Sequence, residues 1–299
     1  MEFDLSPRPA NSAPPAPEFP WPNRARCALF PAFDIDAETA WISGDPANAR
    51  RLVTLSYGGY EARVGVPKIL ELLARYGIKA TFFVPGWVAE AHTAMCESIL
   101  GAGHEIGHHG YLHWRPEPGK TAEMTEEIDR GLEALRRKLG VTPVGYRAPY
   151  AESAVELLEL LTDRGLRYSS SFRDDIRPYR HLLPGGRPGP VELPVNHSFD
   201  DWVYGLTHRQ APRAMFPREH VLSIWREEFD QTREWGGLLS MVMHPQVSGR
   251  PMRINILREF LDHVLRHGDT WIATGREIAE HFEACEKARV HDAKPQGKA

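Results

Sequence analysis

Residues 78–114, "IKATFFVPGWVAEAHTAMCESILGAGHEIGHHGYLHW", contain the unit from which the rest of the chain is read. "IKATFFVPG" is a short apolar run closed by Pro85 and Gly86, and it reads as a strand. A helix near residues 88–101 follows, and "HEIGHHG" is the next strand. Strand, helix and strand in so short a span imply parallel pairing, with the helix covering one face of the sheet.

The same alternation extends in both directions. Upstream, "ARCALFPAFDID" reads as a strand, and "VGVPKILELLARYG" is a helix with Val66, Ile69, Leu70 and Leu73 at helical spacing and Gly77 at its stop. Downstream, "TAEMTEEIDRGLEALRRKLG" is an amphipathic helix with Thr121 expected as its N-cap. "VGYRAPY" and "LRYSSSF" are strands on either side of the helix "SAVELLELLTDRG". "GPVELPVN" is another strand, and "PREHVLSIWREEFDQTREWG" is a helix. "GLLSMVMHP" is a nearly unbroken apolar strand, as in a sheet covered on both faces. The helix "RINILREFLDHVLRHG" and the strand and helix of "DTWIATGREIAEHF" complete the series.

Seven or eight such units predict an α/β fold, a (β/α) barrel that is closed or partly open. One domain is expected over 25–285. A proline-rich arm precedes it at 1–24, as a tail or as a wrap around a second subunit with Trp21 as anchor, and a tail follows at 286–299. The longest irregular stretch, 172–216, is expected to serve function.

Composition narrows the classes. The 299 residues carry a net charge of −4, which gives no basic stripe for nucleic acid. No run of about 18 apolar residues suggests a membrane span. The first residues lack a basic segment followed by an apolar one, so no signal peptide is expected. Three widely spaced cysteines form no disulfide framework and suit a reducing compartment. The expectation is a cytoplasmic protein.

Four of the 14 histidines fall within 104–113. His-x-x-x-His, the spacing of two ligands on one helical face, occurs as His104/His108, His109/His113 and His263/His267, so spacing alone does not choose a site. The last pair sits among charged residues and reads as a solvated face. Position is more informative. Asp34 and Asp36, His108 and His109, Arg147, Asp174 and Asp175, and His244 all stand where predicted strands end, and barrels of this kind place their chemistry at the C-terminal ends of strands. Asp34 and Asp36, two apart, share one face of a strand.

"FDID", "HHGYLH", "RAPY", "SSFRDD" and "MVMHP", in that order, resemble the motifs of the polysaccharide deacetylase family, the NodB-homology group of carbohydrate esterases. The resemblance covers about residues 26–282 and extends to "GIKATFFVPGWV". One departure is Asp34-Ile35-Asp36, where the family commonly has adjacent aspartates. With "YGGYEARVGVPKILELL" it resembles an intracellular subgroup containing a peptidoglycan deacetylase, cyclic-imide hydrolases and a metal-free allantoinase.

The resemblance implies a hydrolase of non-peptide carbon–nitrogen bonds. It makes Asp36, His109 and His113 the ligands of a divalent ion, zinc first, with cobalt, nickel or manganese as alternatives. Asp34 becomes the general base, Arg147 its partner, and the Tyr150 backbone N–H a donor to the oxyanion. His244 becomes the general acid, oriented by Asp174 or Asp175, with Asp175 slightly favoured. His104 is expected to be structural, and His108 to lie beside the ligands or face substrate. Trp41, Trp87, Trp114 and Trp202 are candidate sugar or ring platforms. Arg63, Asp200 and Asp201 are candidate substrate contacts. Expected partners are a small molecule or oligosaccharide and further copies of the chain, with neither nucleic acid nor membrane. Two substrate classes stay open, N-acetylated sugars and cyclic imides or ureides, the latter with or without metal. A non-catalytic carbohydrate-binding protein is the alternative outside enzymes. A glycosidase fits poorly, because carboxylates two apart on one strand cannot flank a scissile bond.

Overall fold

The computed structural model describes residues 19–208 and 212–292. Its ten short strands are β1 (Cys27–Phe30), β2 (Ala32–Asp34), β3 (Thr81–Val84), β4 (Glu105–His108), β5 (Gly145–Tyr146), β6 (Tyr168–Ser169), β7 (Tyr179–Leu182), β8 (Pro188–Glu192), β9 (Leu238–Ser240) and β10 (Thr270–Ile272). They form a three-stranded sheet, β10-β1-β9, and a seven-stranded sheet, β2-β3-β4-β5-β6-β8-β7. Every pairing is parallel except β7 with β8, a hairpin within the stretch expected to be irregular.

The two sheets are halves of one partly open barrel. Pro31 splits the first predicted strand into β1 and β2, since proline has no N–H to give to a ladder. The circuit continues only through single bridges, Phe33 with Met243 and Asp200 with Val242. The second bridge matters for the site, because it seats residues 200–201 beside the end of β9.

Burial explains the strand sequences. β1, β3 and β9 are buried along their whole length, as the apolar runs predict for a sheet covered by helices. Gly145 in β5 is required by packing: a Cβ there would stand 1.9 Å from Cζ of Tyr168. The predicted helix after β2 is longer than its apolar pattern. Residues Leu52–Tyr60, Glu61–Gly65 and Val66–Tyr76 run on without a break, and the middle segment is π-helical. Helix Thr121–Leu139 begins at Thr121 itself, so Lys120 rather than Thr121 occupies the cap position. No described helix is long and apolar enough to cross a membrane.

The described part of the arm packs on its own chain. Trp21 is 6% exposed, donates from Nε1 to the Gly236 carbonyl at 2.9 Å and tilts against Trp271 and Phe19. Trp21 therefore anchors within the chain. Residues 1–18 lie outside the described residues. The closing helix, Gly275–Asp292, runs past position 286, where the tail was expected to begin. Trp21→Ala is expected to remove about 3–5 kcal/mol of unfolding free energy, because a large buried side chain leaves a cavity. Urea denaturation measures this, and a loss below about 1 kcal/mol would show that the arm is not part of the body.

Candidate active site

Each candidate side chain leaves the C-terminal end of a strand. Asp34 ends β2 and Asp36 lies two residues on, His109 follows β4, and Arg147 follows β5. His244 lies just past the bridge at Met243. They line a common cleft of about 550 Å³.

Asp36, His109 and His113 converge at its floor. The Nε2 atoms of His109 and His113 lie 3.3 and 3.5 Å from the same oxygen, Asp36 Oδ1. His109 is fixed by Nδ1–H donating to the Arg147 carbonyl at 2.7 Å, which aims Nε2 at Asp36, so the neutral ring would offer its lone pair there. Burial pushes His113 down to about 4, so its ring is neutral near pH 7 and it too offers a lone pair. Asp36 Oδ1 is buried without a hydrogen-bond partner. Three lone-pair atoms aimed at one point repel one another unless a cation lies between them. A buried orphan oxygen is costly for the same reason. Two imidazoles and a carboxylate are a fitting donor set for zinc or another first-row divalent ion.

The backbone around these ligands is held in unusual shapes. Ala37 has φ 46° and His113 φ 61°, a region that residues other than glycine rarely enter. A carboxylate supports each, the fully buried Glu61 and the half-buried Glu127. Ala37 donates to Glu61 Oε1 at 2.9 Å, and Glu61 sits at the start of the π-helical segment, a local widening often found at functional sites. Glu127 Oε2 accepts from the N–H groups of Tyr111 and Leu112 at 2.9 Å each, and of Trp114 at 3.4 Å, which cradles the loop that carries His113.

Beside the cage, Arg147 and Asp34 form a buried pair, Nη1 to Oδ1 at 2.8 Å. The guanidinium also donates to the carbonyl and hydroxyl of Ser170 and to the Met241 carbonyl, and it lies 4.4 Å above the Phe83 ring. With so many partners, Arg147 fixes one orientation for the Asp34 carboxylate.

His244 stands on the far side of the cage, its Nε2 3.8 Å from Asp36 Oδ2. Its Nδ1–H donates to Asp201 Oδ1 at 2.7 Å. Asp201 also accepts the backbone N–H of His244 and both the N–H and hydroxyl of Ser248. Burial alone would push His244 down. The hydrogen bond and charge of Asp201, with Asp36 and Asp200 nearby, outweigh it and hold the imidazole well above its ordinary value.

Neither aspartate expected to orient His244 does so. Asp174 accepts from the Tyr179 hydroxyl at 2.5 Å, and Asp175 accepts from the N–H groups of Ile176 and Arg177 in its own turn. Asp201, read from the sequence only as a substrate contact, takes the role. Adjacent acids before Trp202, "DDW", were the available signal.

Other expectations divide. His104 is structural, its Nδ1 accepting from Ala80 N–H at 3.2 Å. His108 is fully buried, accepts from Gly110 N–H and donates to the Ile128 carbonyl, so both ring nitrogens are engaged and it does not face substrate. Trp41 and Trp202 line the cleft, 5.6 Å apart, and Trp202 sets its edge against His244 at 5.0 Å. Trp87 packs against the main core, Trp114 lines a neighbouring cleft, and Arg63 is exposed near Glu38 and Gly59. None of these three lines the site. Tyr150, with φ 57°, covers one wall, its hydroxyl 2.8 Å from Ser43 Oγ and its ring 4.9 Å from that of His113. Ser43 was not foreseen. His263 is hydrogen-bonded to Asp230 at 2.7 Å across two helices, with His267 3.4 Å from the same oxygen, so this partly exposed face is also a point of helix contact.

Comparison with known proteins identifies the family and the fold. The sequence model of the polysaccharide deacetylase family matches residues 48–169. The peptidoglycan deacetylase of Helicobacter pylori is 29% identical over 276 residues, covering 83% of this chain and 94% of its own. The crystal structure of a Mycobacterium smegmatis protein described as a polysaccharide deacetylase is 38% identical, with a TM-score of 0.87 over 91% of this chain and 96% of that one. Puue allantoinase, 24% identical with a TM-score of 0.77 over 91% of this chain and 95% of its own, shares the fold.

Proposed function

Because the chain belongs to the polysaccharide deacetylase family and is a hydrolase of carbon–nitrogen bonds other than peptide bonds, we propose that it removes N-acetyl groups from an amino sugar, with a divalent ion held by Asp36, His109 and His113. The observation that carries the reading is the buried, unpartnered Asp36 oxygen facing two imidazoles, in the same cleft as Asp34 and His244. Zinc is the proposed ion, on the two-nitrogen, one-oxygen donor set. When bound, the ion supplies Lewis acidity toward the amide carbonyl and the attacking water.

The side chains divide the proton transfers. Asp34, held by Arg147, takes a proton as water adds to the carbonyl carbon. The Tyr150 N–H supports the developing oxyanion. His244, protonated and aligned by Asp201, gives its Nε2 proton to the nitrogen as the carbon–nitrogen bond breaks, because an unprotonated amine is a poor leaving group. Acetate and the free amine leave. The three cysteines are free, with Cys27 and Cys96 buried, which supports a reducing compartment such as the cytoplasm.

A second reading, ring opening of a cyclic imide or ureide at the same centre, is favoured by the shared fold of the allantoinase. Acetate release from N-acetylglucosamine oligomers, set against ring opening of succinimide and allantoin, separates the two. Acetate release that stops on chelation and returns with added zinc is the expected result. Ring opening without acetate release would replace the first reading by the second, and full activity after complete removal of metal would overturn the metal centre.

A further inference from the structure

The carboxylates of the cleft all have assigned partners. Asp34 is paired with Arg147, and Asp36 belongs to the cage. Asp45 caps Ala47 and meets Arg51 at 3.4 Å. Burial pushes Asp200 up to about 6; it accepts the Trp202 N–H and lies 3.9 Å from His244. Two exposed arginines on the cleft lining differ. Arg173 reaches only the Ala151 carbonyl, at 3.3 Å, and the Arg213 guanidinium only the Trp202 carbonyl, at 3.4 Å. Among the described residues, neither is in an ion pair with a carboxylate. Arg173 is thereby placed next to Tyr150, and Arg213 next to Trp202, whose ring meets that of His244. His197, which feels the charge of Arg173, lines the same mouth.

Two cations without a carboxylate partner on the lining of a cleft, in a chain of net charge −4, are uneconomical for a neutral ligand. Guanidinium groups held by single carbonyl contacts keep their remaining N–H donors for a planar anion such as a carboxylate. A partly closed cleft also focuses their field on the substrate. Starting from the proposed amidase reading, we infer that Arg173 and Arg213 form a carboxylate subsite, and that the substrate carries an anionic group on the part remote from the scissile amide. A neutral N-acetylglucosamine oligomer lacks that group. An N-acetyl sugar with an acid substituent has it.

N-acetylglucosamine and N-acetylmuramic acid form the matched pair of probes, since they differ by a lactyl carboxylate. Calorimetric or NMR titration of the zinc-loaded protein is expected to give about tenfold tighter binding of the acid. In Arg173→Gln/Arg213→Gln the ratio is expected to fall to about one. Raising the salt from 50 to 500 mM is expected to weaken the acid and leave the neutral sugar unchanged. Both substitutions are at exposed positions, and a thermal melt verifies folding. Equal binding of the two sugars by the wild type, or an unchanged ratio in the double variant, overturns the subsite. Acetate assays on oligomers are read separately: no acetate with a retained binding ratio fails the deacetylase reading and supports the anion subsite.

Discussion

Asp36→Ala is expected to abolish stoichiometric metal and to lower kcat/KM for amide hydrolysis by about a thousandfold, the several kcal/mol that a Lewis acid contributes. Asp36 is the carboxylate that both imidazoles face, and its Oδ1 has no other partner. Removing it leaves two neutral histidines around a cavity, too few donors to hold an ion against solvent at ordinary zinc concentrations. Asp34→Asn is the control. Asp34 lies with Arg147 and outside the converging trio, so that variant should keep its metal and lose turnover. Elemental analysis with kinetics on both proteins makes the test. Wild-type metal content in Asp36→Ala, or full turnover by metal-free wild type, would remove Asp36 from the role given to it.

The contrast between these two aspartates shows what the sequence makes legible. Asp34, Asp36, His109, His113, Arg147 and His244 each follow a strand whose apolar run is visible in one dimension, and a parallel sheet brings strand ends to one rim. The local periodicity therefore carried both the α/β class and the rim. The supports of these residues were not visible in the same way. Glu61 reaches Ala37 because a π-helical segment alters its helix, and an apolar pattern with a period of 3.6 cannot encode that shift. Glu127 meets the loop around His113 from the middle of a helix whose pattern otherwise looks purely amphipathic. His108 adjoins a ligand in sequence, yet the alternation of a strand turns it to the other side, where Ile128 and Gly110 hold it. The orienting acid does not lie in "SSFRDD", the segment to which the resemblance points. A single bridge, Asp200 with Val242, seats Asp201 beside His244, and no local pattern announces one.

Asp201→Asn is the second substitution with a large expected effect, a fall in kcat of about a hundredfold to ten-thousandfold, the range over which a positioned proton donor acts. The carboxylate does two things. It accepts Nδ1–H from His244 and its charge helps to hold the ring as an imidazolium, so Nε2 also carries a proton toward the cage. It also accepts three donors from the chain at His244 and Ser248, which fixes the turn on which the imidazole stands. An asparagine has no charge to hold the imidazole doubly protonated, so the ring is left neutral and Nε2 is at best a very weak acid toward the leaving nitrogen. KM should change little, because this proton moves only as the bond breaks. His244→Ala should fall by a similar factor, and the double variant should be no worse than the poorer single one, as two residues acting as a unit require. Asp175→Asn and Asp174→Asn should stay within about twofold of wild type, since their carboxylates serve local partners. Steady-state kinetics on the four single variants, each checked for folding by thermal melting, distinguish the assignments. A large loss at Asp175 with none at Asp201 would return the orienting role to the loop after β6. Losses at Asp201 and His244 that multiply in the double variant would show that the two side chains do not act together.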